Sequence, residues 1–204
     1  NDYVAEVVKR HPGRLVGFAG IDPRKGQWAI IEAKRAIGEL GLAGVAVDPF
    51  RAGIPPDDRM LYPVYEVCAE KRVPVIITIG PLPSPAMYME LGSPMAVDRV
   101  ATDLPELTII CSHGGWPFTN EMIAVAWRHD RVYFETSLYE NMPGASAWVE
   151  AANTVLMKKI LFASGYPARS FADAIELYGK LPLSDEARNR VMRENARELM
   201  QLPV

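Results

Sequence analysis

The sequence predicts an α/β protein in which helices cover a parallel sheet, and three observations support this. Short β-branched runs alternate with longer stretches of helical apolar spacing, making six strand–helix units in 204 residues. Most of the runs are apolar on both faces, as strands buried in a covered parallel sheet must be. Several of them end on an aspartate, serine or histidine followed at once by proline or glycine, which marks the passage from strand to turn. Two architectures compete. A closed (β/α)8 barrel takes eight units and typically ~250 residues, so a barrel here is two units short. A doubly wound sheet finds no support from a Gly-rich fingerprint after the first strand or from a P-loop.

The first strand is "RLVGFAGIDP" (14–23), closed by Asp-Pro. Helix 28–40 follows, with Ile30, Ala33, Ile37 and Leu40 at helical spacing and Gly41 placed to stop it. "GLAGVAVDPF" (41–50) is the second strand, and helix 60–72 tolerates Pro63 only because it falls in the first turn. Strand "VPVIITIG" (73–80) leads to a Pro-rich loop (81–94), long enough to act as a lid or rim, and then to helix 94–105. Strand "LTIICSHGG" precedes helix 119–130, and "VYFETSLY" (132–139) precedes "PGASAWVEAANTV". "KILFASGYP" (159–167) precedes "RSFADAIELYGKL", and helix 184–202 closes the chain. No linker interrupts this order, so residues 1–204 read as one domain.

Composition is that of an ordinary globular chain: 49% hydrophobic, 23% charged, with a net charge of −3. No basic block points to nucleic acid or to an anionic membrane surface. The apolar runs are strand-sized, so no membrane span is expected, and the first residues lack the apolar centre of a leader. Cys68 and Cys111 make neither a disulfide framework nor a zinc motif. The cytoplasm is the default compartment.

In either architecture, chemistry gathers at the carboxyl ends of the strands. Those ends carry Asp22, Asp48, Thr78, His113, Glu135 with Ser137, and Ser164 with Gly165. Asp22 and Asp48 both precede proline, where aspartate also serves simply to bond the turn backbone. Asp48 is the better candidate for chemistry, since only small and apolar residues precede it in its strand. His113 stands out because Gly114 and Gly115 clear side-chain bulk beside it, leaving room for a ligand, and imidazole can bind metal or move a proton. His11 and His129 read as surface residues, the latter at a helix end. Glu135 alternates with Tyr133 and Ser137 on one face of its strand; turned inward it is a pocket carboxylate, and turned outward it would be buried under helices at high cost. Trp116, Phe118, Tyr139 and Tyr166 suit a planar ligand, though such aromatics also fill cores and interfaces. Arg169 is placed to pair with a carboxylate or simply to stay exposed.

The order of motifs resembles the amidohydrolase-2 branch of the amidohydrolase superfamily, the aminocarboxymuconate semialdehyde decarboxylase-like group of decarboxylases and lactone hydrolases. The resemblance runs through "GFAGIDP", "ELGLAGVAVDP", "LYPVYEVCAEKRVPVII", "DLPELTIICSHGGWP", "VYFETS", "KILFASGYP" and "RENARELM". It implies an incomplete or variant TIM-type barrel whose third to eighth strands are present. It also implies one divalent metal, usually zinc, whose ligands include a first-strand His-x-His pair that would precede this chain. Thr78 stands where the fifth-strand histidine belongs and Gly165 where the eighth-strand aspartate belongs, so of the implied ligand set only His113 is present. Zinc needs three or four N, S or O ligands. The sequence therefore predicts no metal and no other cofactor, unless zinc or another divalent ion is held by unexpected ligands.

Two functions remain open. One is a metal-independent hydrolase or decarboxylase of a small carboxylic, lactone or aromatic substrate, with His113 as acid/base and Glu135 or Asp48 as its carboxylate partner. The other is a catalytically silent barrel that binds a small ligand or supports a partner subunit. Six units leave two sheet edges to be covered by absent residues, rearranged helices or another subunit, and a homo-oligomer is the expectation.

Overall fold

The computed structural model describes residues 1–81 and 85–202. Its centre is a six-stranded parallel sheet: β1 (Phe18–Gly20), β2 (Gly44–Val47), β3 (Val75–Thr78), β4 (Ile109–Ser112), β5 (Val132–Glu135) and β6 (Ile160–Leu161). The strands lie side by side in chain order, β1 to β6. A doubly wound sheet reverses its order at a switch point, whereas a barrel wall does not. Among the described residues β1 does not pair with β6, so this is an open barrel wall.

Alternation along the strands divides the sheet into two faces. Val45, Val47, Val75, Ile77, Ile109, Cys111, Val132, Phe134 and Ile160 point to one face and form the core. The helices that cover it are α1 (Asp2–Arg10), α2 (Gln27–Gly38), the short α3 (Pro49–Ala52), α4 (Tyr62–Lys71), α5 (Pro94–Asp103), α6 (Thr119–Arg128), α7 (Ser146–Asn153) and α8 (Phe171–Lys180). α2 buries Ala29, Ala33 and Ala36, small side chains that let its backbone approach the sheet closely. Thr136, just beyond β5, bonds the Tyr178 hydroxyl of α8 at 2.8 Å, which fixes Thr136 outward and its neighbours Glu135 and Ser137 inward. Ala46, Ile76, Thr78, Ser112 and Tyr133 share the inward face and are partly exposed.

Several strands are shorter than their apolar runs. β6 stops at Leu161 because the Phe162 N–H donates to the Val191 carbonyl (2.8 Å) instead of to the sheet. Val191 belongs to a π-helical turn (Arg190–Glu194) that divides the expected terminal helix into α9 (Asp185–Asn189) and α10 (Asn195–Leu199). Buried Asn195 then donates to the carbonyls of Met157 and Ile160, both at 2.8 Å. At the other edge the Asn1 side chain plays the same part: its Oδ1 accepts from Gly20 N–H (3.0 Å) and its Nδ2 donates to Gly20 carbonyl (3.3 Å). Rearranged helices and side-chain amides thus cover part of both edges.

His129 differs from expectation. Its side chain is largely buried and its Nε2 lies 2.7 Å from Asp98 Oδ1, so it ties α6 to α5. In the Pro-rich stretch 81–94, residues 82–84 lie outside the described residues, and Met89–Gly92 form a short 3-10 turn. Among the described residues no helix is long and apolar enough to cross a membrane.

Candidate active site

The β4 and β5 ends build the most ordered polar group on the inward face. Glu135 Oε1 accepts from the Ser112 hydroxyl (2.5 Å) and the His113 N–H (3.0 Å), and its Oε2 accepts from the Ser137 N–H (2.6 Å). The carboxylate, buried with its side chain 11% exposed, thus closes three donors around itself and holds the turns that leave both strands.

His113 is shaped by that anchor. With φ +71° it occupies the left-handed region, and Gly114 (φ +60°) and Gly115 (φ +67°) continue it. Such a backbone is uncommon for a residue with a Cβ, and strain of this kind clusters at functional sites. Nδ1 lies 3.1 Å from both the carbonyl and the hydroxyl of Ser137. A carbonyl only accepts, so Nδ1 carries the hydrogen and Nε2 is bare in the neutral ring. Among the described residues Nε2 has no hydrogen-bond partner. Nδ1 sits 3.9 Å from Glu135 Oε1.

Aromatic rings wall one side. Tyr139 meets His113 edge-on (centroids 5.8 Å, 87°) and stacks on Trp116 (5.3 Å, 10°). Burial raises the Tyr139 phenol above its usual range, so it stays protonated and donates to the Pro81 carbonyl. Trp116 donates to the Pro143 carbonyl at 3.1 Å. Gly80, which sequence reading passed over, makes room for the histidine: a Cβ there would collide with the Cβ of His113.

The remaining candidates have other neighbours. Asp48 caps α3, accepting from the Arg51 N–H at 3.1 Å, with Arg51 Nε 3.0 Å from its second oxygen. It lines a cavity of about 450 Å³ at the ends of β1–β3, together with Asp22 and Thr78. Phe118 is partly buried at the start of α6. Tyr166 is largely exposed and stacks on Phe171 (5.2 Å). Arg169 is committed within the protein: its Nη1 donates to both oxygens of Glu140 at 2.6 Å. Of the eight candidates, then, the structure groups His113, Glu135, Trp116 and Tyr139, and sets Asp48 in the adjoining cavity. Both cysteines are buried, and burial pushes the Cys68 thiol up to about 12, which makes it a poor nucleophile.

The residues present do not fit the metal that the sequence resemblance implies. Gly165 lies at φ +69°, and a Cβ there would stand 2.6 Å from Leu138 Cγ, so a leucine fills the room an aspartate would need. Leu138 is itself left-handed (φ +70°) and is fixed by its N–H bond to Glu140 Oε1 (3.1 Å). The Glu140 side chain is fully buried and pinned by Arg169, so this wall is rigid. Thr78 supplies one weak neutral oxygen, and among the described residues no three His, Cys, Asp or Glu side chains converge on a common point.

Fold and site together define a barrel-type protein with a histidine–carboxylate pair at the carboxyl ends of its strands. The amidohydrolase family model matches residues 1–202, and the chain belongs to that family. It is 30% identical over 136 residues to 2-amino-3-carboxymuconate-6-semialdehyde decarboxylase of Dictyostelium discoideum, which covers 58% of this chain and 38% of that protein. It is 24% identical to gamma-resorcylate decarboxylase of Polaromonas sp., across 99% of this chain and 75% of that protein. The chain thus spans less than half of the first relative and three quarters of the second. Among solved structures, an uncharacterised TIM-barrel protein of Bordetella bronchiseptica superposes with a TM-score of 0.88 at 30% identity, over 98% of this chain and 71% of that one. A dihydroxybenzoic acid decarboxylase of Polaromonas sp., solved with bound manganese and 2-nitroresorcinol, superposes at 0.73 with 22% identity, over 98% of this chain and 73% of that one. Manganese is thus bound in that neighbour, and the sheet described here is an incomplete barrel.

Proposed function

We propose that this chain carries the active site of a decarboxylase or hydrolase of small aromatic, carboxylic or lactone substrates that works without the family's metal. One observation carries the reading: His113 is locked through Nδ1 onto Ser137, beside a buried carboxylate, with Nε2 free of any partner among the described residues. Ring orientation and tautomer are thereby set before any substrate arrives. In decarboxylation, imidazolium Nε2 gives its proton to the carbon bearing the carboxylate. The C–C bond then breaks, its electron pair returns to that carbon, and CO2 leaves; water reprotonates the ring. In hydrolysis, neutral Nε2 takes a proton from water as the oxygen attacks the acyl carbon, and returns it to the departing oxygen. Glu135 steadies the imidazolium in both, and Trp116 and Tyr139 offer a flat wall to an aromatic substrate. Decarboxylation is the favoured branch, because both curated relatives bear decarboxylase names.

The competing reading, a silent barrel that binds a small ligand, draws on the filled position at Gly165. Turnover of a panel of hydroxybenzoates and lactones separates the two: wild-type turnover lost in His113→Gln supports the enzyme, and no turnover of any member supports the silent barrel. The open inward face between β1 and β6 further leads us to propose that the protein self-associates, in the cytoplasm.

A further inference from the structure

We infer that the cavity at the ends of β1–β3 holds a carboxylate of the substrate that is remote from the reacting carbon, with Arg24 and Arg51 as its two carboxylate-binding residues. This rests on the proposed function and names the half of the site that the histidine does not supply. The cavity has a volume of about 450 Å³, within the range of small-molecule sites, and small residues (Gly20, Ala46, Thr78) leave its floor open. Two similar constructions form its sides. After β1, Asp22 accepts from the Arg24 N–H (3.1 Å) and holds Arg24 Nε (3.1 Å). After β2, Asp48 accepts from the Arg51 N–H (3.1 Å), and Arg51 Nε lies 3.0 Å from its other carboxylate oxygen as an ion pair. In each, an aspartate followed by proline caps a short turn and pairs with the arginine's Nε, through a hydrogen bond at Arg24 and as an ion pair at Arg51. Arg24 Nη1 and both Nη groups of Arg51 have no partner among the described residues.

Arg24, bonded at Nε, presents its outer N–H in a preset direction, and Arg51, held near by charge, adds a second fork that suits a planar carboxylate. The arginine side chains are 57% and 77% exposed, so each contributes modestly and the pair acts together. Thr78 links this cavity to the histidine: it lies opposite Ser112 in the β3–β4 register, and the Ser112 hydroxyl donates to Glu135. Neighbouring strands lie ~4.8 Å apart, which sets the ends of β2 and β4 roughly 10 Å from one another, so an acid group held by the arginines stands away from the carbon that His113 serves.

The test is calorimetric titration with benzoate and with benzamide, its neutral counterpart, on the wild-type chain, Arg24→Gln, Arg51→Gln and the double variant. Benzoate should bind wild type more tightly than benzamide does. It should weaken roughly fivefold in each single variant and at least about tenfold in the double, with benzamide affinity and melting temperature unchanged. Arg51→Lys should fall between wild type and Arg51→Gln, since it keeps the charge and loses the fork. Benzoate affinity equal in wild type and double variant, or equal affinity of wild type for the two probes, would overturn the assignment. Arginine-dependent benzoate binding in a protein that turns over no acid would uphold this site while refuting the proposed catalysis.

Discussion

His113 owes its readiness to the residues that hold it. Replacing it with glutamine should lower kcat by about 10²–10⁴, the usual worth of a positioned acid/base, with little change in melting temperature. Ser137→Ala removes one of two Nδ1 partners and leaves the carbonyl, so its effect should be much smaller, about tenfold or less. Gly80→Ala should be costly, because its new methyl group meets the His113 Cβ; loss of turnover with a lowered melting temperature is expected. The histidine and Glu135 were legible in the sequence: one ended an apolar run before two glycines, and the other alternated onto the face shared with Ser137. Gly80, Leu138 and Glu140 were not, because their roles come from turns meeting across the sheet, and no local pattern encodes that. Arg169 was legible only as a cation near a strand end; its buried partner, 29 positions away, was not.

At the scale of elements, the alternation of strand and helix predicted every strand, and the limits of each depended on where its backbone found partners. β6 yields its next N–H to the terminal helix, which no propensity in "KILFASGYP" announces. Asn195→Ala frees two carbonyls that one amide satisfies, and should cost about 1–3 kcal/mol in denaturant unfolding, with the C-terminal helices loosening first. α1 is held to α2 by Arg35, which bonds Asp2 at 2.9 and 2.7 Å and Glu32 at 2.8 and 3.0 Å. The guanidinium holds the Asp2 carboxyl down to about 2 from its ordinary 3.8, and bonds from Arg35 and Asn1 lower Glu32 as well. A depressed carboxylate stabilises the fold above its ordinary range and loses that contribution as pH falls through the folded value. The difference in melting temperature between wild type and Arg35→Gln should therefore be present at pH 6 and shrink from about pH 4 toward pH 2. A difference that stayed constant over that interval would contradict the clamp.

For the whole molecule, chain-order strands make a barrel wall whose inward face is open on one side. Asn1 and the terminal helix cover parts of the two edges, while Ala46, Ile76 and Tyr133 remain partly exposed between them. Self-association should show as a mass of two or more chains by light scattering, and a monomer at micromolar concentration would contradict it. The choice between barrel and doubly wound sheet could not be read from six units alone, since both give the same alternation; the unbroken order β1 to β6 decides it. That Thr78 and Gly165 stand at two of the implied ligand positions was legible in the sequence. That Leu138 fills the second position was not. Chemistry by His113 without metal is tested most directly by wild-type turnover of hydroxybenzoates after exhaustive chelation, with and without added manganese or zinc. The same rate is expected in all conditions, with its loss in His113→Gln; turnover that appears only when metal is restored would overturn metal-free chemistry.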